Sequence, residues 1–518
     1  MIKNFKIILV LSFPLLCKYL FLTLFIDWKL FDLQDIVEDV VFFIGVVFLF
    51  YAASIKGNGL INLVSLFYVS YVVLETVSYM AISSNFSSSF MYLLLESNKG
   101  ELNEFVSSYV SLPIVLFFIV GVVLFFKIKK YKFKVFGFKN VIVGVLGFLA
   151  VCFGLKYTGF IESNVYHNIV RGVYGYVDLQ NNTKFNENID SQDLVITSNN
   201  EVLVFVLGES TVRTHMQIYG YKRENTPLLN SIKDSLFIFE NVVSSDVLTL
   251  KAMPKILTSI DVSNKQEEQY NIVEVFNAAG YNTYWLSNQR PISYHDNVTS
   301  KIASRSKEFK FFNHNIDKHS TTLDGVLLPD YSEILKKPGK KAVFVRLIGT
   351  HFDYNKRYPE AFKKYGKEQL NLSKEEKILN HYDNAVYYND YIVHTLIDKL
   401  KGSGKKSALV YLSDHGENLY DEGTDFFGRN EERLTATMFK IPFLLWTSNN
   451  FEYPKDFQYI PNRKFMADHT YESVGHVFGV LHKSMQVEHS IFSSKFKPRN
   501  RKVVNAIDFD KEFVKQND

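Results

Sequence analysis

With 518 residues and a formal net charge of +4, the chain is too long for one ordinary domain and too weakly charged to argue for nucleic acid as a partner. Its two cysteines, Cys17 and Cys152, both lie in apolar stretches, which excludes a disulfide framework or a cysteine-based zinc site from everything downstream. The first 160 residues are dense in Phe, Leu, Val and Ile, and the remainder has the composition of a soluble globular protein. Five apolar stretches, 6–26, 37–55, 60–83, 108–126 and 141–159, each approach the ~20 residues a helix needs to cross a bilayer. Lys3 and Lys6 precede the first, but no small-residue cleavage site follows it, so it reads as a retained span rather than a signal peptide. Lys18 lies inside this span and is expected to snorkel from an off-centre position or to displace the span.

The loop between the fourth and fifth spans carries Lys127, Lys129, Lys130, Lys132 and Lys134, a density that belongs on the cytoplasmic side. Five spans then leave the N-terminus inside and everything after residue 160 outside, which in a bacterial inner membrane is the periplasm. Residues 161–200 read as an interfacial helix and linker, the linker running Asn181-Asn182-Thr183-Lys184-Phe185-Asn186. Residues 201–500 form the second domain, and 501–518 a C-terminal tail.

In the second domain strand-like runs at 202–207, 236–240, 281–286, 342–348, 408–412 and 441–446 alternate with helix-like patterns at 270–279, 375–401 and 471–482. This predicts an α/β domain with a central, mostly parallel sheet covered on both faces. The segment 300–330 is polar and turn-rich and is expected to be loop or short helix. Three of the strands end in side chains that bind metals. Val202–Leu207 runs into Gly208-Glu209-Ser210-Thr211, Ala408–Leu412 into Ser413-Asp414-His415-Gly416-Glu417, and Ala342–Ile348 into Gly349-Thr350-His351. Ligands in such sheets sit beyond the carboxyl ends of the strands, so the three ends can converge. Glu209, Asp414 and His415 would suit zinc with one position open for chemistry. Helix capping for Glu209, and a turn for Asp414-His415, are the plainer alternatives.

The run Val206–Thr211, followed by His215-Met216 and by Tyr219-Gly220-Tyr221-Lys222-Arg223-Glu224-Asn225-Thr226-Pro227, resembles the start of the phosphoethanolamine transferase catalytic domain, in the alkaline phosphatase/sulfatase superfamily. Tyr411-Leu412-Ser413-Asp414-His415-Gly416-Glu417 is similar to that family's second metal motif. Gly349-Thr350-His351 with Lys356-Arg357-Tyr358-Pro359-Glu360 looks like a third. The resemblance implies one zinc held by Glu209, Asp414, His415 and a nucleophilic threonine, with a second metal left open. That threonine aligns with Thr249, ahead of Pro254 and at a helix start, over the competing hydroxyls of Ser210, Thr211, Ser244 and Ser245. It further implies a donor, phosphatidylethanolamine, and a covalent phosphothreonine. The acceptor would be a lipopolysaccharide or a periplasmic glycan, and the enzyme a membrane-bound monomer. Asn288 and His351 are expected to contact the substrate, His351 alternatively a second metal. Asp468, His469 and His476 are better read as capping and packing residues.

Two departures stand out. The lipid A-modifying branch carries a histidine about a dozen residues after the Asp-His pair; here Thr424-Asp425-Phe426-Phe427-Gly428-Arg429-Asn430-Glu431 has none. That branch also has disulfides in this domain. The run 416–421 with 427–431 looks closer to the core-heptose and periplasmic-glucan branch. Rival readings are a phosphoglycerol transferase or a phosphodiesterase/sulfatase on the same scaffold. A sulfatase would want Cys or Ser in a Cys/Ser-x-Pro/Ala-x-Arg setting, which the Thr249 region lacks. An inactive membrane scaffold or sensor is the reading from another class.

Overall fold

The computed structural model describes residues 2–25, 33–53, 58–82, 85–97, 102–103, 105–106, 109–130, 138–182, 189–262, 269–289, 298–313, 322–367, 371–504 and 506–514. Apolar runs with few backbone alternatives satisfy their amides internally, and all five predicted stretches are helices: Ile2–Phe25 (α1), Leu33–Ala53 (α2), Asn58–Ile82 (α3), Leu112–Lys130 (α4) and Phe138–Thr158 (α5). Each is long and apolar enough to cross a membrane. The chain continues into a helix at Val165–Asn182 (α6). It divides into two units, Met1–Leu179 and Gln180–Asp518. The linker residues 183–186, and Lys132 and Lys134 of the basic loop, lie outside the described residues.

Lys18 corrects the expectation that it snorkels. It is 2% exposed, and its Nζ donates to Asp39 Oδ2 of α2 at 2.6 Å. Tyr19 donates to the same oxygen at 2.5 Å, and Tyr71 of α3 donates to Glu38 and Asp39 at 2.6 and 2.7 Å. A charge among apolar helices is tolerated when a partner on a neighbouring helix neutralises it, and Asp39 supplies that partner.

The second unit is built on a seven-stranded sheet. Its strands in chain order are Val202–Gly208 (β1), Leu236–Ile238 (β2), Asn282–Ser287 (β3), Glu308–Phe311 (β4), Lys341–Arg346 (β5), Ser407–Ser413 (β6) and Phe443–Thr447 (β7). The spatial order is β2-β7-β6-β1-β5-β3-β4, parallel throughout except that β7 runs antiparallel to both its neighbours. β1 lies at the centre and is buried along its whole length. Its side chains alternate between two cores: Leu203, Phe205 and Leu207 join one, Val202, Val204 and Val206 the other. This is why the strand reads as a continuous apolar run.

The first core receives the helices Thr249–Leu257 (α7) and Thr470–Phe478 (α9) and the second the long helix Lys374–Gly402 (α8). Ser373 and Glu376 form a capping box at the start of α8. The segment expected to be loop or short helix holds the end of a short helix at Val298–Ala303 and the start of one at Leu327–Lys336, and between them the unexpected strand β4, with 314–321 outside the described residues. β4 is an edge strand whose first three residues are exposed, so it lacks the apolar run that marks the central strands.

Candidate active site

The parallel register sets β1 beside β5 and β6, so the turns leaving all three strands emerge at one edge. Gly208 pairs with Ser413, which puts Glu209 and Asp414 side by side one residue later. The corner after Glu209 is tight: Ser210 takes φ 57°, a left-handed conformation that a serine holds only when its surroundings impose it. Those surroundings are visible. Ser210 N–H donates to Asp414 Oδ1 at 3.2 Å, and Thr211 N–H to Ser413 Oγ at 2.8 Å. From α8, Tyr382 Oη donates to Ser210 O and accepts from Val212 N–H, both at 2.9 Å. Thr350 closes the other side through N–H and Oγ1 donation to Glu209 O at 3.1 and 3.0 Å. Gly349 before it has φ 50°, and a Cβ there would lie 3.0 Å from Glu209 O.

Glu209, Asp414 and His415 are all buried, and each offers a ligand atom within 4.8 Å of the others. Among the described residues this is the one His/Cys/Asp/Glu group so arranged. His415 Nδ1 lies 2.8 Å from Gly416 O, a geometry that puts the ring proton on Nδ1 and leaves the Nε2 lone pair facing Glu209 Oε1 at 3.2 Å. Asp414 Oδ2 is buried with no hydrogen-bond partner. Burial opposes the charged form of Glu209, yet His415, His351 and Arg429 together hold its carboxyl well below the usual range. Asp414 is pushed up to about 6, first by burial and then by the Glu209 charge. Two buried carboxylates, one with an orphaned oxygen, and an imidazole of fixed tautomer make a donor set that fits a zinc ion.

Thr249 is the first residue of α7, and its Oγ1 lies 3.1 and 3.2 Å from the two Glu209 oxygens and 3.2 Å from His415 Nε2. The competing hydroxyls are otherwise engaged. Ser244 Oγ donates to Asp414 O at 2.5 Å, Ser245 Oγ to Asp246 Oδ2 at 2.7 Å, and Thr211 Oγ1 to Glu209 O at 3.3 Å. Ser210 Oγ donates to Glu209 Oε1 at 3.0 Å and accepts from Arg429 at 2.5 Å.

His351 is half-buried, and burial pushes its ring down to about 3, with Glu209, Arg429 and His415 the nearby charges. Asn288 Nδ2 donates to Thr322 O and Asp324 Oδ1, both at 2.9 Å, while its Oδ1 is buried without a hydrogen-bond partner. Asp324 in turn accepts from Ile348 and Gly349 N–H at 2.9 Å each, which ties Asn288 to the turn that carries His351. The neighbouring Gln289 is the residue that reaches the cluster, its Nε2 3.4 Å from Glu209 Oε2. Arg429 reaches it too, with Nη1 3.2 Å from Glu209 Oε1 and 2.7 Å from His415 Nε2. Sequence reasoning passed over both, because neither belongs to a metal-ligand residue type. Glu417 is buried with Oε1 unpartnered, and burial pushes its carboxyl up to about 7. Asp468 accepts from Arg499 and from Val262 N–H, and His476 contacts Ser490 and Asp456, consistent with packing roles.

Residues 201–477, more than half of the chain, match the family model described as Sulfatase. The chain belongs to the sulfatase family. Among its relatives, phosphoethanolamine transferase EptC of Escherichia coli O18:K1:H7 is 28% identical over 479 residues, covering 83% of this chain and 83% of the relative. The zinc complex of the C-terminal periplasmic domain of Escherichia coli EptC aligns with a TM-score of 0.58 at 31% identity, covering 61% of this chain and 95% of that one. The integral membrane protein lipooligosaccharide phosphoethanolamine transferase A of Neisseria meningitidis aligns with a TM-score of 0.69 at 21% identity. That alignment covers 89% of this chain and 91% of that one, and it shows the fold, membrane helices included. The resemblance to phosphoethanolamine transferases and the expected fold class, apolar helices followed by a sulfatase-like α/β domain, are both borne out.

Proposed function

We propose that this sulfatase-family chain is a zinc-dependent phosphoethanolamine transferase of the bacterial inner membrane, with its α/β domain in the periplasm. The donor in this reading is phosphatidylethanolamine, and the acceptor a lipopolysaccharide or another envelope glycan. The observation that carries it is the meeting of Glu209, Asp414 and His415 around the Thr249 hydroxyl, in a chain whose relatives over most of its length carry that activity in their names. The basic residues Lys127, Lys129 and Lys130 at the end of α4 support the orientation.

Glu209, Asp414, His415 and Thr249 would hold the zinc. When bound, the ion lowers the pKa of the threonine hydroxyl and offsets charge on the phosphoryl oxygens. The chain's own residues do the positioning. Thr249 Oγ1 is directed by Glu209 and His415 to attack the phosphorus. The bond from Oγ1 to phosphorus forms as the bond from phosphorus to the glyceryl oxygen breaks. The threonine loses its proton to solvent, and diacylglycerol leaves after taking one up. An acceptor oxygen then attacks the same phosphorus, and the Thr249 oxygen departs as the hydroxyl once more. Gly208, Ser210 and Tyr382 keep the Glu209 corner rigid while this happens. The test is release of diacylglycerol from phosphatidylethanolamine by the purified full-length protein. Release by wild type that is lost after chelation and restored by zinc supports the reading, and no release by the zinc-loaded protein overturns it.

A further inference from the structure

Arg429 is a side chain beside the Thr249 hydroxyl that this chemistry has not used. It follows Gly428 at φ 96° on a two-stranded hairpin, Asn418–Leu419 against Phe427–Gly428. Phe427 fixes the hairpin by stacking on Phe352 (centroids 6.1 Å, planes 14° apart) and by tilting against Tyr420 at 5.8 Å. The guanidinium is thereby carried inward, its side chain 11% exposed. Nη1 and Thr249 Oγ1 share two neighbours, Glu209 Oε1 and His415 Nε2, so the cation stands beside the nucleophile rather than elsewhere in the cluster. Ser210 Oγ, at 2.5 Å, fixes Nη1 further. Nε and Nη2 have no hydrogen-bond partner among the described residues. With zinc bound, Glu209 and His415 would turn these atoms to the ion, so Ser210 Oγ is the anchor of Nη1 that remains, and the other donors of the planar fork are to spare.

We propose that Arg429 is a catalytic residue that grips the phosphoryl group during transfer, its spare N–H groups donating to the non-bridging oxygens. The proposal rests on the reading of Thr249 as the nucleophile. An arginine fork matches two phosphoryl oxygens at once, and its charge is permanent. As the bond from Thr249 Oγ1 to phosphorus forms and the bond to the glyceryl oxygen breaks, negative charge gathers on those oxygens. Donors already aimed at that charge lower the barrier without reorganising. The chain thus carries a fixed cation on the stretch 424–431, where the lipid A-modifying branch is expected to carry a histidine.

The experiment follows appearance of the phosphoethanolamine adduct by rapid quench and intact-protein mass spectrometry, using full-length protein in detergent with phosphatidylethanolamine. Zinc content and melting temperature are measured on the same samples. Arg429→Ala is expected to retain zinc and to form the adduct ~100- to 1000-fold more slowly, as for loss of one transition-state donor. Methylguanidine should restore part of the rate. Arg429→Lys, which keeps charge and bulk but loses the fork, should fall between the two. Adduct formation by zinc-loaded Arg429→Ala at the wild-type rate overturns the proposal. So does loss of zinc from that variant, since the arginine would then act by holding the metal ligands. Should Arg429→Ala fail to fold, Arg429→Lys at the wild-type rate also overturns it. Absence of adduct from wild type itself points instead to failure of the Thr249 reading.

Discussion

Gly416→Ala tests whether the Asp414-His415 turn has room to move. A Cβ built on Gly416 would lie 2.1 Å from Thr437 O, 3.1 Å from the carbonyl carbon of Met438 and 3.2 Å from Lys440 O. Close carbon-to-oxygen contacts sit near ~3.3 Å, so the methyl must retreat by about 1 Å. All three obstacles are backbone, and no side-chain rotation relieves them. Gly416 N–H also donates to Met438 O at 2.8 Å, which ties the turn to the strand of backbone it would have to leave. Overpacking of this kind costs about 1–3 kcal/mol. The displacement is transmitted to the metal ligands because Gly416 O holds His415 Nδ1. Loss of such an orienting bond weakens metal binding by about 10–100-fold. Thermal melting gives the first effect and zinc titration of the purified variant the second. A variant that matches wild type in both would refute the argument that this turn is locked against 437–440.

Three further outcomes follow from the geometry. Glu209→Gln and Asp414→Asn should each lose zinc from the purified protein by elemental analysis, and retention of full occupancy in both would remove these carboxylates from the donor set. Tyr382→Phe leaves Val212 N–H and Ser210 O without their shared hydroxyl, and melting should show a loss of about 1–3 kcal/mol; an unchanged melting temperature would mean that Thr350 and Asp414 suffice to hold the corner. Asp390, which accepts from Leu228 and Leu229 N–H at 2.9 Å each, is pushed up by burial from 3.8 to about 7. Its folded state binds the proton more tightly than the unfolded chain, so this group's contribution to stability falls as pH rises from 3.8 towards 7. Asp390→Asn should flatten that part of the pH dependence of melting, and an unaltered slope would contradict the assignment.

Most of the architecture is legible in the sequence because burial on both faces leaves a pattern. Val202–Leu207 and Ala408–Leu412 are unbroken apolar runs since each faces two cores, and the residues after them fall at the sheet edge by topology alone. β4 escaped because an edge strand needs only one buried side chain, Phe311. Lys18 was misread for a related reason: its partner Asp39 lies on another helix, and pairing between helices leaves no periodic trace in either. Within the site, Glu209, Asp414 and His415 announce themselves as ligand types at strand ends. Arg429 and Gln289 do not, since they arrive by loops whose paths depend on packing, such as that of Phe427 on Phe352. Asn288 and Gln289 are adjacent, and only the fold decides that Asn288 turns to Asp324 while Gln289 faces Glu209.

The central claim is a covalent transfer through Thr249, and intact-protein mass spectrometry tests it most directly. Wild type incubated with phosphatidylethanolamine should gain about 123 Da, one phosphoethanolamine less water, while Thr249→Ala should gain nothing and keep its zinc. An adduct of that mass on Thr249→Ala, or its absence from a wild type that releases diacylglycerol under acid quench, would contradict the account.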